Sequence, residues 1–431
     1  MENAFWLKRL GVLALLFGLM AYIFIGYDTV PFHGDEADHL HKSHDFVVAI
    51  VHKRPAALQV MLPVQIDSTE HIRLLTGTTH AYLTGYALWS MGVEDSAWPR
   101  AWNYAQDVQW NIEYGRWPSE RILQRGRLPH VLLTMLSIPL AFGIVWRCQM
   151  PYPCLTASIA AFLVGTHSAW LLNGRRVLQE AALVTLSLIV VLIGMSLAER
   201  FSWLKLCLLS LFSALCFAAK PTGIIAVGAV FIALAWIVIE QPKRWRLLAQ
   251  LLCAGIAFVV LYICITPPIW ANPPARMFLA AQMRAEVLRG QTAASPDAYA
   301  NWIERFVGLI EQPFIAPLQY YESPAFDGVL DEQIRIYEAS RWHGWAIPNS
   351  IAYFLTFCGM VGLIVLAYQH REPRLRIVFV WLIITPLAFL LSIPLAWQRY
   401  YLLWSVGMCL LASLGLVNIL RWLNGFRYFW F

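Results

Sequence analysis

Charge is scarce in this chain. Only 13% of its 431 residues are Asp, Glu, Lys or Arg, against 59% hydrophobic, where soluble domains run near a quarter and a half. Water is thereby excluded as the solvent for most of the surface. Cysteine is missing from both long, relatively polar segments, 28–128 and 267–347, which excludes a disulfide framework there. Of the eight cysteines, Cys148 and Cys154 sit in a short loop and the rest in apolar stretches, where a small buried hydrophobe is the ordinary reading. No internal repeat and no low-complexity linker interrupts the sequence, so one integral domain with two loop insertions is the economical description. A small-x-small cleavage pattern is also lacking. Gly26-Tyr27-Asp28 closes the first apolar run behind Lys8 and Arg9, and that run is expected to remain as a signal anchor.

What is present in abundance is long apolar runs. Ten stretches, 10–27, 129–146, 154–172, 178–197, 204–219, 222–239, 247–266, 348–367, 377–395 and 401–419, approach or exceed the roughly 18 residues that cross a hydrocarbon core of about 30 Å. They predict an all-α integral membrane protein of about ten transmembrane helices. With the N-terminus inside, the short inner loops hold Arg147, then Arg200 with Lys205, then Lys243, Arg244 and Arg246, then Arg371, Arg374 and Arg376, and finally Arg421 with Arg427. Every such loop is basic, as the positive-inside bias requires. Both long segments are then expected outside and both termini inside. The net charge of +6 is a topological signal and not a nucleic-acid face.

In the first outer segment, Phe46 to Met61 and Trp102 to Ile112 mix apolar and polar residues at near-helical spacing and are expected as interfacial helices. Ile72 to Met91 is apolar too, but Arg73, His80 and its glycines argue against a full span. The second outer segment opens with four prolines between Thr266 and Pro274, which stop the preceding helix, and continues to an aromatic-rich run ending at Trp345.

Chemistry-bearing residues collect just beyond the apolar runs. After the first span comes Pro31-Phe32-His33-Gly34-Asp35-Glu36-Ala37-Asp38-His39. Its adjacent carboxylates could accept a proton from a hydroxyl or hold a cation; the alternative is a solvated acidic turn capping an interfacial helix. Asp35, His33 and His39, with His41 and His44, are candidate ligands for a divalent metal, though in no standard spacing. Cations recur at the outer level: Arg127-Leu128-Pro129 at the second span, Arg175-Arg176 with Glu180 before the fourth, Lys220-Pro221-Thr222-Gly223 between two apolar runs, and Arg399-Tyr400-Tyr401 at the last. One such cation is usually a snorkelling anchor, but four helix ends at one level fit an anionic headgroup. Lys220, pressed between apolar runs, needs a partner or an anionic ligand.

The set resembles the GT-C glycosyltransferases. The resemblance is carried by Asp35-Glu36 after the first span, Arg127-Leu128-Pro129, the Arg176-x-x-x-Glu180 step, Ala219-Lys220-Pro221-Thr222-Gly223, the turn from Pro267-Pro268 through Trp270 to Pro273, and Gln398-Arg399-Tyr400-Tyr401. It runs in order over nearly the whole chain and is nearest to the branch of protein O-mannosyltransferases, lipid A aminoarabinose transferases and RgtA-type core-sugar transferases. It implies a GT-C-like bundle and an inverting transfer of one sugar from a polyprenyl-phosphate donor to a hydroxyl or amine on a lipid, glycan or protein acceptor. The reaction takes place on the outer face of a membrane, the bacterial inner membrane for this branch. Asp35 is the implied base and Glu36 the residue that orients the acceptor or shares that role. Lys220, Arg127, Arg399 and Arg176 are the implied donor-phosphate ligands, supported by Glu180, Asp38 and His80. No cofactor is required and a divalent metal is possible. The chain departs from the branch in lacking a large soluble C-terminal domain and in its long first outer segment, rich in Trp and His.

Two other classes compete. A secondary transporter also uses intramembrane charge and broken helices, but no paired half-repeat is visible and the charges gather at one membrane face. A non-catalytic scaffold subunit would not need Asp35, Glu36, Arg127 and Lys220 together.

Overall fold

A computed structural model describes residues 2–65, 68–344 and 348–427, with side chains from residue 9 to residue 423 within those ranges; Trp345 and the side chains of Lys8 and Arg427 fall outside them. Among the described residues there is no strand, only an isolated bridge between Ala298 and Leu395. Among the same residues seven helices are long and apolar enough to cross a membrane, and Pro153–Thr166 and Ser168–Gly174, bent by 58°, pass that test only as a pair, a broken span or a re-entrant loop. Two shorter apolar helices, Arg9–Ile25 and Trp203–Ala219, fall on the remaining expected runs, so each of the ten apolar stretches is helical.

The bundle packs by the rules of a membrane interior. Its last helix, Leu402–Arg427, lies against Asn349–Gln369 so closely that a Cβ on Gly415 would stand 1.8 Å from the Cys358 carbonyl oxygen and one on Gly362 2.0 Å from that of Leu411. Small residues let backbones approach where lipid supplies no hydrophobic drive between helices. By contrast Arg244–Ile265 buries only Leu251 and Ala254. It stands at the rim, facing lipid.

Charge is sorted to the two ends. At one, Arg147 and Arg374 meet Glu199, and Arg376 meets Glu240; all three arginines come from expected inner loops. At the other, the two long segments pack on one another. Arg175, completely buried, ties the second of them to the first helix by donating to the Tyr22 and Ile23 carbonyls at that helix's end and to the Trp342 carbonyl.

The first long segment folds into short helices, among them Gly34–Ser43, Thr69–Leu75, Thr78–Ser90 and Val108–Glu113. Ile72 to Met91 is split at Thr76-Gly77, where the buried Lys42 ammonium donates to both carbonyls. The longer piece, 13 residues, reaches only about 20 Å at 1.5 Å per residue, short of a span. Two expectations fail in part. Phe46 to Met61 yields a π-turn at Val47–Val51 and a 3-10 turn at Pro55–Leu58, and Trp102 to Ile112 is helical only from Val108. In the second stretch side chains take over the backbone donors: Asp38 accepts the Trp102 N–H and Asn111 the Asn103 N–H, a competition that Asn and Asp commonly win over helix.

Candidate active site

The site begins with the first turn of Gly34–Ser43. His33 is its N-cap: the ring Nδ1 accepts the Asp35 N–H, and the Glu36 carboxylate accepts the His33 N–H, a reciprocal capping box. With Nδ1 accepting, the proton sits on Nε2, which donates to Glu322 at 2.7 Å. The turn therefore fixes where both carboxylates point.

Glu36 points inward. Its side chain is 0% exposed and that of Arg127 is 1%. Arg127 donates Nε–H to Oε1 at 2.9 Å and Nη2–H to Oε2 at 2.7 Å, and Val177 N–H donates to Oε1. The rest of the guanidinium serves the Val30 and Pro31 carbonyls. Arg176, also fully buried, donates to Pro31 and Tyr320 carbonyls. None of these three residues lines the cavity that holds Asp35, so Glu36 has no face from which to orient an acceptor, and the donors of Arg127 and Arg176 are already engaged by the chain.

Asp35 points outward, 30% exposed, into a cavity of about 260 Å³ that it shares with His33, Tyr104, Glu322, Trp397 and Arg399. Tyr104 donates its hydroxyl to Oδ1 at 2.6 Å and Arg399 donates to Oδ2 at 2.5 Å. Arg399 Nε also lies 2.9 Å from Glu322 Oε1, an ion pair too bent for a hydrogen bond. Desolvation raises the Asp35 pKa, but Arg399, with smaller help from His33, His39 and Tyr104, outweighs it and holds the carboxyl below the usual carboxylate range.

A second charged group lies beyond Arg399. Lys220 donates to Glu180 at 2.7 Å, both nearly buried, and its ammonium stands 5.0 Å from the centre of the Tyr400 ring. Arg399 Cζ stands 5.4 Å from the same centre. The Tyr400 ring thus contacts both Arg399 of the Asp35 cavity and the Lys220 ammonium. Ala218 and Pro221, flanking Lys220, line an apolar groove of about 400 Å³ with Phe217, Tyr262, Met277 and Leu288. Arg284 projects into that groove and feels both Lys220 and Tyr400; among the described residues it has no acid partner.

Asp38 and His80 lie behind the site. Asp38 holds the Trp102 backbone, and His80 Nε2 contacts His39 Nδ1 at 3.0 Å. Burial, against the pull of Asp35 and Glu180, pushes His39 down to about 3, so the ring is neutral at physiological pH. Among the described residues no three His, Cys, Asp or Glu side chains converge as a metal site would. His41 is turned to the Pro99 carbonyl and Thr69, and His44 to Asp95.

Three residues of this site escaped the sequence reading. Arg284 had a signal: it occupies the apolar stripe Met277, Ala280, Ala281, Arg284, Ala285, Leu288, whose 3-4 spacing marks one helix face. Glu322 and Tyr104 had none, being one acid and one tyrosine among many in long loops.

No protein-family model matches the sequence, and no curated protein matches it. Solved structures do. An archaeal oligosaccharyltransferase, AglB from Archaeoglobus fulgidus in complex with an inhibitory peptide and a dolichol-phosphate, aligns over 98% of this chain at a TM-score of 0.51 and 13% identity. ArnT from Cupriavidus metallidurans, bound to undecaprenyl phosphate, aligns over 94% at 0.53 and 12% identity. The chain has the GT-C fold. It spans 52% of the first of those proteins and 60% of the second, so the likeness covers this chain almost entirely and its neighbours about half. The fold expected from the motifs, an all-helical GT-C bundle, is the fold observed.

Proposed function

We propose that the chain is a membrane glycosyltransferase that moves one sugar, with inversion, from a polyprenyl-phosphate donor to a hydroxyl or amine on the outer face of the membrane. One observation carries the reading: Arg399, which lines the half-open Asp35 cavity, and Lys220, set between Ala218 and Pro221 of the apolar groove, both stand against the Tyr400 ring. The groove suits a polyprenyl chain, because its wall at Arg244–Ile265 faces lipid, and Lys220, Arg284 and Arg399 stand where the phosphate would end it. The bound polyprenyl phosphates of the two structural neighbours support the same assignment.

In this mechanism the acceptor oxygen or nitrogen attacks the anomeric carbon from the Asp35 side. Asp35 takes its proton as the new bond forms, and the bond from carbon to phosphate oxygen breaks with its electron pair staying on the oxygen. The phosphodiester becomes a monoester with one more negative charge, which pre-placed cations stabilise more than they stabilise the donor. Tyr104 marks the acceptor's place, its hydroxyl sitting where an acceptor hydroxyl would donate to Asp35. Glu36, Arg127 and Arg176 position the Asp35 loop and touch no substrate. Glu180 holds Lys220 until the phosphate arrives.

Purified protein in lipid nanodiscs, given a labelled polyprenyl-phosphate sugar and a membrane extract as acceptor source, tests the reading. Transfer of label that disappears in Asp35→Asn supports it; label carried across the bilayer without bond cleavage would establish a transporter instead. Chelation and re-addition of divalent ions in the same assay decides whether a metal takes part.

A further inference from the structure

An open concavity of about 710 Å³ lies on the first long segment, away from both the Asp35 cavity and the apolar groove. Trp98, Tyr114 and Trp117 give it aromatic faces; Arg100, Glu113 and Ser119 give it donors and acceptors at its rim. We propose that it binds the saccharide portion of the acceptor, so that the acceptor is a glycan or glycolipid. The purpose of the site rests on the transferase reading; its binding chemistry does not.

Its position argues against a lipid anchor. Helix Glu120–Arg147 has 28 residues, about 42 Å at 1.5 Å per residue, against roughly 30 Å of hydrocarbon. With Arg147 at the inner boundary, Ser119 stands about 12 Å beyond the outer one. Exposed Arg100 and Glu113 at the rim fit that water-accessible level.

The platform is also rigid. Tyr114, 54% exposed, stacks on Trp110 at 4.2 Å and 20°, and Arg116 covers the Trp110 ring with Cζ 5.1 Å from its centre while donating to the Ala101 carbonyl. The Asn111 amide bonds the Asn103 and Asp107 carbonyls, and Gly115, at φ 66°, makes the turn that brings Arg116 back. An aromatic face held still in water costs little ordering when a ligand binds. A saccharide offers what such a surface takes, apolar C–H faces for the rings and hydroxyls for the rim. A peptide acceptor would seek a strand edge or a helix groove, and the described residues offer no strand edge here.

The concavity is tied to the reaction centre. Trp117 contacts Phe32 at 4.2 Å and Trp102 at 6.1 Å, and Trp102 stacks at 5.7 Å on Phe326, which lines the Asp35 cavity. The same row of rings walls both sites. A glycan resting on Tyr114 and Trp117 is held at a fixed distance from Asp35.

The test uses the full chain in nanodiscs and, as probe, the oligosaccharide released by mild acid from the surface glycolipids of the source cells, read by saturation transfer from protein to sugar protons. A Ser/Thr-rich peptide and glycolipid-free vesicles are the parallel probes. The saccharide is expected to bind wild type and Tyr114→Phe alike, and to bind Tyr114→Ala up to about tenfold more weakly, the range of one aromatic stacking contact. Donor binding stays unchanged in Tyr114→Ala, and the melting temperature drops only by the loss of the Trp110 stack, because that ring is half exposed. No saccharide binding, equal binding by Tyr114→Ala, or binding of the peptide alone would overturn the proposal. Saccharide binding that depends on Tyr114 in a protein without transferase turnover would keep the platform and remove the transferase reading.

Discussion

At Asp35 the carboxylate opens on a cavity and is held by groups from distant parts of the chain, Tyr104 and Arg399. One residue further on, at Glu36, the carboxylate is closed off completely and every oxygen is spent on Arg127, Val177 and the His33 backbone. Adjacent residues on a helix point about 100° apart, and that rotation separates an open carboxylate from a closed one. The capping box makes the separation strict: Glu36 must turn back to the His33 N–H, and Asp35 is thereby swung out. The solvated acidic turn offered as one reading of this dipeptide is therefore not what forms: Glu36 closes the capping box fully buried, and Asp35 alone is left exposed.

The sharpest way to break this comparison is Asp35→Asn. It keeps shape and removes the proton acceptor, so turnover should fall by roughly 10²–10⁴-fold, the range a positioned general base supplies, with donor affinity and melting temperature close to wild type. Wild-type turnover in this variant would take Asp35 out of the mechanism.

Arg127→Met probes the other carboxylate. It leaves Glu36 buried without its counter-ion, a loss of about 3–5 kcal/mol for a broken buried pair, to be seen as a lowered melting temperature and poor yield of folded protein. The fraction that folds should bind donor as wild type does. A variant that melts normally but loses donor affinity would return Arg127 to the phosphate, where the motif resemblance puts it.

A smaller effect is expected from Arg284→Gln. Among the described residues Arg284 has no acid to leave unpaired, so stability should hold, while donor affinity falls by roughly 10- to 150-fold, the equivalent of the 1.5–3 kcal/mol assigned to hydrogen bonds with charged groups. Unchanged affinity would move the phosphate away from the groove.

These residues also mark how far the sequence could be read. The spans, the cationic layer and the acidic turn after the first span were legible because they depend on local pattern: apolar length, helix-end cations, adjacent carboxylates. The division of labour between Asp35 and Glu36 was not. It depends on Arg399, 364 positions away, Tyr104, 69 away, and Arg127, 91 away, and no periodicity encodes such pairings. Arg127 shows the cost: as a cation at a helix end it matched the others, and only its buried surroundings set it apart. Trp102 to Ile112 shows a second limit, since helical spacing there was overridden by side chains of Asp38 and Asn111 that lie elsewhere in sequence or turn back on their own loop.

The finest test concerns the proton affinity of Asp35 and uses Tyr104→Phe. In the folded chain Asp35 is held below its ordinary value of about 3.9, with Tyr104 one of the groups that lower it. A carboxyl depressed on folding stabilises the protein above its unfolded pKa, and that contribution is lost as pH falls through the folded one. The catalytic form is the carboxylate, so turnover should stay level on the acid side down to below the usual carboxylate range. Removing the phenol hydroxyl withdraws one hydrogen bond to the charged form, which raises the Asp35 pKa. The acid limb of the pH–rate profile should then move to higher pH, and acid unfolding should begin slightly earlier. Near pH 7 the direction reverses, because an acceptor no longer has to displace a hydroxyl from Oδ1, and the KM for acceptor should drop while kcat changes little. Superimposable acid limbs in wild type and Tyr104→Phe would show that the titrating group is not Asp35. An unchanged acceptor KM would show that the acceptor approaches from another side of the carboxylate.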